Sequence, residues 1–403
     1  MIPAGVLAGL LHLAAGPTVL DSVRGAMGVT AHFFYTQPGE LPAFRSAGLT
    51  WVRREMNWMD IERERGVYRF RDWDKVVDSL TSHGIRIVFI MGYGNKLHDQ
   101  GRSPATPEAI EAYANWVAAA VARYRGRGIV WEIWNEPNWH FWTPKPDLDA
   151  YLRLLAATSR KARAVDPGVV LLGPAQAGSD TAYADSCVRR GILDHIDGYS
   201  LHPYRTSNPE SLEPELAGLR RILSRGGTKV PVVITEWGYT TGDAAVPARA
   251  QARFLARMRL LALVEDLPML FWYDWMDNGK DSTERENRFG MVGHKVDFRK
   301  EIRHKPVFAA QVQVAKILQG ARLVRRNTLD SATRVVELSR KGSRALVVWR
   351  FAPGEPRLVL KLPGRLRCQD MTGRPCSGFR ARRDGTFEVV ATPEPTYILQ
   401  SGF

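Results

Sequence analysis

The sequence predicts an α/β chain, a (β/α)8 TIM barrel followed by a small C-terminal β-sandwich. Three observations carry that expectation. Short apolar, β-branched runs recur about eight times, alternating with amphipathic stretches of helical period. Polar side chains gather at the C-terminal ends of these runs. Beyond about residue 320 the helical period stops and short strand-like runs with Gly and Pro turns take over.

The barrel strands are expected at residues 29–33, 51–54, 85–91, 129–135, 169–173, 198–202, 232–236 and 269–274. Helix signals lie between them. Ser82-His83-Gly84 closes one helix at a glycine. Thr106-Pro107-Glu108 opens another with an N-cap, a proline in the first turn and an acid at the positive end. Behind it Ile110, Tyr113, Val117, Val121 and Tyr124 recur at helical spacing and should pack on the barrel. The later strands are expected at 334–338, 345–351, 357–362, 387–391 and 397–400. The domain division is then 1–24, 25–319 for the barrel and 320–403 for the sandwich, read as a structural domain because it lacks an aromatic stripe.

Two acids stand out. Glu136 sits in Trp131-Glu132-Ile133-Trp134-Asn135-Glu136-Pro137-Asn138 and Glu236 in Pro231-Val232-Val233-Ile234-Thr235-Glu236-Trp237-Gly238-Tyr239. Each closes a buried-strand pattern and is followed by turn chemistry. They are 100 residues apart. A barrel unit takes roughly 30–35 residues, so the acids fall on strands four and seven and share one mouth. One strand-end Glu is more often an ion-pair partner than a catalyst. Two of them, with Trp134, Trp139, Trp142, Trp237, Trp272 and Trp275 close in sequence, suit cleavage of a glycosidic bond. That reaction needs one carboxylic acid to protonate the leaving oxygen and one carboxylate facing the anomeric carbon. Indole offers a broad face for sugar C–H groups and an N–H donor. His32, Arg53, Asn135, His202, Tyr204, Asp274 and the strand-eight tryptophans complete a polar rim at the same face.

Length and composition agree. A chain of 403 residues holds a barrel and a small domain. Its 45 % hydrophobic and 24 % charged content is ordinary for a globular protein. No apolar run approaches the roughly 20 residues of a membrane helix. The net charge of +14 is spread along the chain. It reads either as a field attracting an anionic polymer or as a solvated basic surface. No nucleic-acid-binding signature, metal-ligand spacing or cofactor motif is present, so no cofactor and no metal are expected. Cys368 and Cys376 flank a turn-rich segment, and a disulfide and two free thiols both remain open. Cys187 reads as a buried apolar residue on a helix. Residues 2–15 have the apolar core of an export signal without a preceding Lys or Arg, so the lean is periplasmic or extracellular.

These motifs resemble glycoside hydrolase clan A, most closely family 39. Trp134-Asn135-Glu136-Pro137-Asn138 is similar to the clan's acid/base motif and Ile234-Thr235-Glu236-Trp237-Gly238 to its nucleophile strand. Ser200-Leu201-His202-Pro203-Tyr204 and Trp272 resemble its sixth and eighth strands, and residues 28–33 with Val52-Arg53 its first two. The likeness covers roughly residues 25–320. It implies a retaining double displacement, with Glu136 as acid/base and Glu236 as nucleophile. Asn135 would hold the 2-hydroxyl, Arg53 and Tyr204 would orient Glu236, and His202 and Trp272 would shape the site. His32, Trp139, Trp237 and Trp275 join the expected substrate-binding set. Retention requires carboxyl groups about 5–5.5 Å apart, and about 8 Å would contradict it. The size and layout resemble the family's bacterial exopolysaccharide-cluster members. The expected substrate is therefore a polysaccharide or oligosaccharide, acidic or neutral, cut internally by a monomer. An exo-acting xylosidase-like enzyme, a transglycosidase and a non-catalytic carbohydrate-binding protein are the alternatives.

Overall fold

A computed structural model describes residues 26–32, 39–227, 230–242, 246–294 and 302–403. The export-signal reading of residues 2–15 falls outside them. Eight parallel strands close into a barrel: β1 (Ala26–Thr30), β2 (Trp51–Asn57), β3 (Arg86–Gly92), β4 (Val130–Ile133), β5 (Val170–Ala177), β6 (Gly198–His202), β7 (Val232–Trp237) and β8 (Met269–Trp272). Eight helices follow them: α1 (Glu40–Ser46), α2 (Arg71–Ser82), α3 (Pro107–Arg123), α4 (Leu148–Val165), α5 (Thr181–Arg189), α6 (Glu213–Ser224), α7 (Ala248–Val264) and α8 (Pro306–Leu318). Thr106 caps α3 through its side chain, which accepts from Ala109 N. The face of α3 with Ile110, Tyr113, Val117 and Val121 is buried, as its spacing requires. Gly84 ends α2 at φ 68°, a conformation that glycine adopts without penalty.

Strand alternation decides what fills the barrel. Trp51, Val88, Val130, Val170, Leu172, Val233, Met269 and Phe271 form an interior apolar cluster. Gly28 makes room for it, since a Cβ there would lie 2.3 Å from the Phe271 ring. Two residues further along the same faces come Arg53, Glu132, Thr235 and Tyr273. The floor is therefore apolar, and the layer above it, at the C-terminal mouth, is polar. The intervening residues, such as Val232, Ile234, Leu270 and Trp272, join the larger cluster between barrel and helices.

The C-terminal region has a five-stranded antiparallel sheet in the order β9-β10-β11-β16-β13 and a three-stranded sheet in the order β12-β15-β14. These strands are β9 (Arg322–Thr328), β10 (Thr333–Arg340), β11 (Ser343–Arg350), β12 (Arg357–Lys361), β13 (Leu366–Gln369), β14 (Arg380–Ala381), β15 (Thr386–Val390) and β16 (Thr396–Gln400). Val335, Leu346, Val348 and Ile398 face Leu362, Phe387, Val389 and Ala391 between the two sheets. Val336, Leu338, Val347, Trp349 and Leu399 pack against Leu260 of α7 and Val314 and Ile317 of α8. With both faces covered, the first six residues of β10 are buried without a break. Strand β9 escaped the sequence reading because it is an exposed, arginine-rich stretch. Cys368 and Cys376 form a disulfide across their loop, with Cα atoms 5.5 Å apart. Cys187 is buried on α5, and burial pushes its thiol up to about 12. Among the described residues, no helix is long and apolar enough to cross a membrane.

Candidate active site

Glu236 reaches the mouth because β7 is irregular. Val232 and Ile234 face the helix layer, so strict alternation would send Glu236 outward as well. Between Leu270↔Ile234 and Trp272↔Trp237 the register advances three residues on β7 for two on β8. The extra residue works as a bulge that re-aims one side chain. Glu236 turns inward, and Trp237 takes the outward parity of Trp272.

Glu136 is placed by a turn. β4 ends at Ile133, and the chain then passes through left-handed backbone at Trp134 (φ 69°) and Glu136 (φ 45°). Non-glycine residues there each carry a strain of about 1 kcal/mol or more, so the surroundings must hold them. Glu136 N donates to Ala175 O at 3.1 Å. Asn138 exchanges two 2.9 Å hydrogen bonds with the backbone of Ala177. The turn after β4 is thereby fastened to β5.

Arg53, on β2, joins groups from the ends of β4, β6 and β7. Its Nε donates to Glu132 Oε2 at 2.8 Å, its Nη1 to Glu236 Oε2 at 2.6 Å, and its Nη2 to Asn135 Oδ1 at 2.9 Å. Nη2 also lies 3.3 Å from His202 Nε2. Arginine has no acceptor, so the hydrogen that His202 turns to an acid partner is the one on Nδ1. That Nδ1 faces Glu136 Oε1 at 2.7 Å. Tyr204 donates to Glu236 Oε1 at 2.6 Å. Burial, and then the Glu236 charge, hold the Tyr204 phenol well above its usual range, so it remains a donor.

The two acids are thus held differently. Burial alone would raise the Glu236 carboxyl. The charges of His202 and Arg53 and the Tyr204 hydrogen bond outweigh burial and hold it below the usual carboxylate range. Among the described residues, His202 is the one side chain hydrogen-bonded to Glu136. One oxygen of each carboxylate and a His202 nitrogen lie within 4.8 Å of one another. These are donor types that can bind a cation. Both Glu236 oxygens already accept hydrogen bonds, however, and the Arg53 charge opposes a second cation beside them.

Tyr204→Phe should raise the Glu236 value, because a hydrogen bond to the charged form favours that form and its loss disfavours it. A carbon NMR titration of the Glu236 carboxyl measures this. An unmoved or lowered value would contradict the arrangement.

Six of the eleven site residues read from sequence meet in this cluster: Glu136, Glu236, Arg53, Asn135, His202 and Tyr204. His32 stands at its edge, 3.1 Å from Glu55 Oε2 and 3.4 Å from Asp274 Oδ2. Burial works against its charge, but Asp274 and Glu55 outweigh that and its value is pushed up to about 11. Trp139 is exposed on the turn after β4. Trp237, Trp272 and Trp275 are all buried in packed layers. Trp237 and Trp272 face outward by parity, and Trp272 Nε1 donates to Phe289 O at 3.2 Å. Trp275 is held in the outer layer by Glu40 at 2.7 Å and by Phe44. Tyr273 lines the mouth in their place, its ring 5.8 Å from His32 and 6.1 Å from Tyr204. The alternation Met269, Phe271, Tyr273 would have found it. Glu132 was also missed, and its signal is a charged residue at an inward position of an apolar strand. Tyr93, just past β3, carries no signal.

The sequence profile of glycosyl hydrolases family 39 matches residues 43–352. The chain belongs to that family. Within family 39 it is similar to a β-xylosidase of Geobacillus stearothermophilus, 29 % identical over 164 residues. That match covers 35 % of this chain and 32 % of the relative, so the chain spans about a third of the curated protein it matches. The fold is similar to a family 39 glycoside hydrolase from Bacteroides cellulosilyticus WH2, with a TM-score of 0.80 and 24 % identity over 95 % of this chain and 82 % of that one. It is also similar to a monomeric β-xylosidase from Caulobacter crescentus CB15, with a TM-score of 0.70 and 17 % identity over 98 % and 99 % of the two chains.

Proposed function

We propose that this family 39 chain is a retaining β-glycosidase working by double displacement. Glu236 attacks the anomeric carbon while Glu136 protonates the departing oxygen. Glu136 then takes a proton from water, which displaces Glu236 from the glycosyl-enzyme. The observation that carries the reading is the pair of carboxylates at one mouth, an oxygen of each within 4.8 Å of the other, each with different partners. That spacing fits the roughly 5–5.5 Å of retaining enzymes better than the roughly 6.5–9.5 Å of inverting ones. Arg53 and Tyr204 keep Glu236 ionised for attack. Asn135, oriented through its oxygen by Arg53, turns its amide nitrogen toward a sugar 2-hydroxyl.

The substrate reading is an endo-acting enzyme on a bacterial exopolysaccharide, acting as a monomer in an oxidising compartment. An exposed tryptophan at the rim supports a polymer, the +14 charge supports an anionic one, and the paired cysteines support the compartment. A second reading, an exo-acting β-xylosidase, is favoured by the names of two relatives. Mass spectrometry of products from a panel of acidic and neutral polysaccharides and xylo-oligosaccharides separates them. Oligosaccharide ladders support the first, and monosaccharide alone supports the second.

Glu136→Gln should slow hydrolysis of unactivated glycosides by about 10²–10⁴-fold, the usual worth of general acid catalysis. Nitrophenyl glycosides, whose leaving group needs little protonation, should lose far less in the glycosylation step. Pre-steady-state rates on both substrates test this, and equal losses would contradict the acid role.

A further inference from the structure

Of the chain's 12 tryptophans, 11 are at most 2 % exposed and Trp139 is 57 % exposed. A lone exposed apolar side chain is ordinary on a protein surface. This one is not on a loose loop. Trp139 N donates to Glu136 O at 2.9 Å, so it sits one turn from that acid. Asn138 fastens the loop to β5, as above. Trp134 Nε1 donates to Phe141 O at 3.2 Å. Further on, Thr143 N donates to Ser103 Oγ at 2.8 Å, and Ser103 N returns a bond to Thr143 Oγ1 at 3.1 Å. The loop is stapled before and after the indole, so the indole is presented in advance and little ordering entropy opposes contact with a ligand.

Neighbouring rings connect it to the acids. Trp139 and His140 have centroids 5.9 Å apart, His140 and Phe141 4.4 Å, and Phe141 and Tyr93 5.7 Å. Tyr93 stands against the turn that carries Glu136, its ring 5.8 Å from that of Trp134. Exposure rises outward along this series, with Tyr93 and Phe141 half-buried and His140 and Trp139 exposed. An aromatic strip therefore runs from the reacting centre to solvent along the loop that carries Glu136.

We propose that Trp139, with His140 and Phe141 beside it, is the platform for the sugar on the leaving-group side of the cleaved bond. The inference rests on the acid role of Glu136. The oxygen that Glu136 protonates bears the departing sugar, so that sugar lies over the Glu136 loop. The substrate class this selects is an oligosaccharide or polysaccharide whose second residue shows an apolar C–H face, and a small aglycone makes poor use of the platform.

The test compares trisaccharides of β-linked xylose and glucose with the nitrophenyl glycosides of the same sugars. Trp139→Ala is expected to lose at least about tenfold more kcat/KM on the trisaccharides than on the matched nitrophenyl glycoside, with Trp139→Phe recovering part of the difference. In Glu236→Gln, which should bind without cleaving, a bound trisaccharide is expected to shield Trp139 fluorescence from acrylamide. Equal losses on both substrate types, or no shielding by a trisaccharide that the unmutated enzyme cleaves, would overturn the subsite while leaving the glycosidase reading intact. No turnover of any of these sugars would overturn the parent reading for this substrate class and the subsite with it.

Discussion

Glu236→Gln is expected to give a folded protein whose turnover falls by at least about four orders of magnitude, as loss of a covalent nucleophile does elsewhere. Gln matches Glu in shape: its amide oxygen can accept from Arg53 while its amide nitrogen donates to the Tyr204 oxygen. What it lacks is the negative charge and an oxygen nucleophilic enough to attack the anomeric carbon. The fold should survive, because Arg53 keeps its 2.7 Å ion pair with Glu132. Steady-state kinetics alongside a thermal melt measure both halves. Turnover within about tenfold of the unmutated enzyme would remove Glu236 from the nucleophile role.

Arg53→Ala should be the most destabilising single change in the site, by about 3–5 kcal/mol, the scale for breaking a buried ion pair from one side. Glu132 is fully buried, and Arg53 is the side chain that pairs with it. Glu236 would lose one of the two charges that hold its carboxyl down. The sign of the pH dependence follows. A depressed carboxyl contributes stability above its unfolded value, and that stability is lost as pH falls through the folded value. The deficit of Arg53→Ala relative to the parent should therefore be largest near neutrality and shrink in acid. Urea melts across pH 3–7 check it. A deficit below about 1 kcal/mol at neutrality, or one that grows toward acid, would contradict the pairing.

The barrel was legible because its strands obey simple rules. Each expected barrel strand overlaps an observed one, for apolar β-branched runs have few other places to go. The two acids were legible from their place at strand ends. Their company was less so. Arg53 and Glu132 are 79 positions apart, and no local pattern announces that they meet. Glu236 would have been sent outward by alternation, and its place at the strand end, its spacing from Glu136 and its motif put it in the mouth. The bulge that turns it inward is a backbone event without a clear residue signature. The same event carried Trp237 outward, which is why a tryptophan beside an acid proved to be packing. Trp272 and Trp275 sit in packed layers, for tryptophan suits sugar and core equally well. Strand β9 was hidden because an exposed edge strand need not be apolar.

A mechanism-based label decides the central claim. Incubating the protein with a 2-deoxy-2-fluoro β-glycoside of a sugar it cleaves should accumulate a covalent glycosyl-enzyme. Peptide mass mapping is then expected to find one added sugar on Glu236. A label on another residue would contradict the assignment of the nucleophile. Inversion of the anomeric carbon in the first product, without any label, would contradict the retaining mechanism itself.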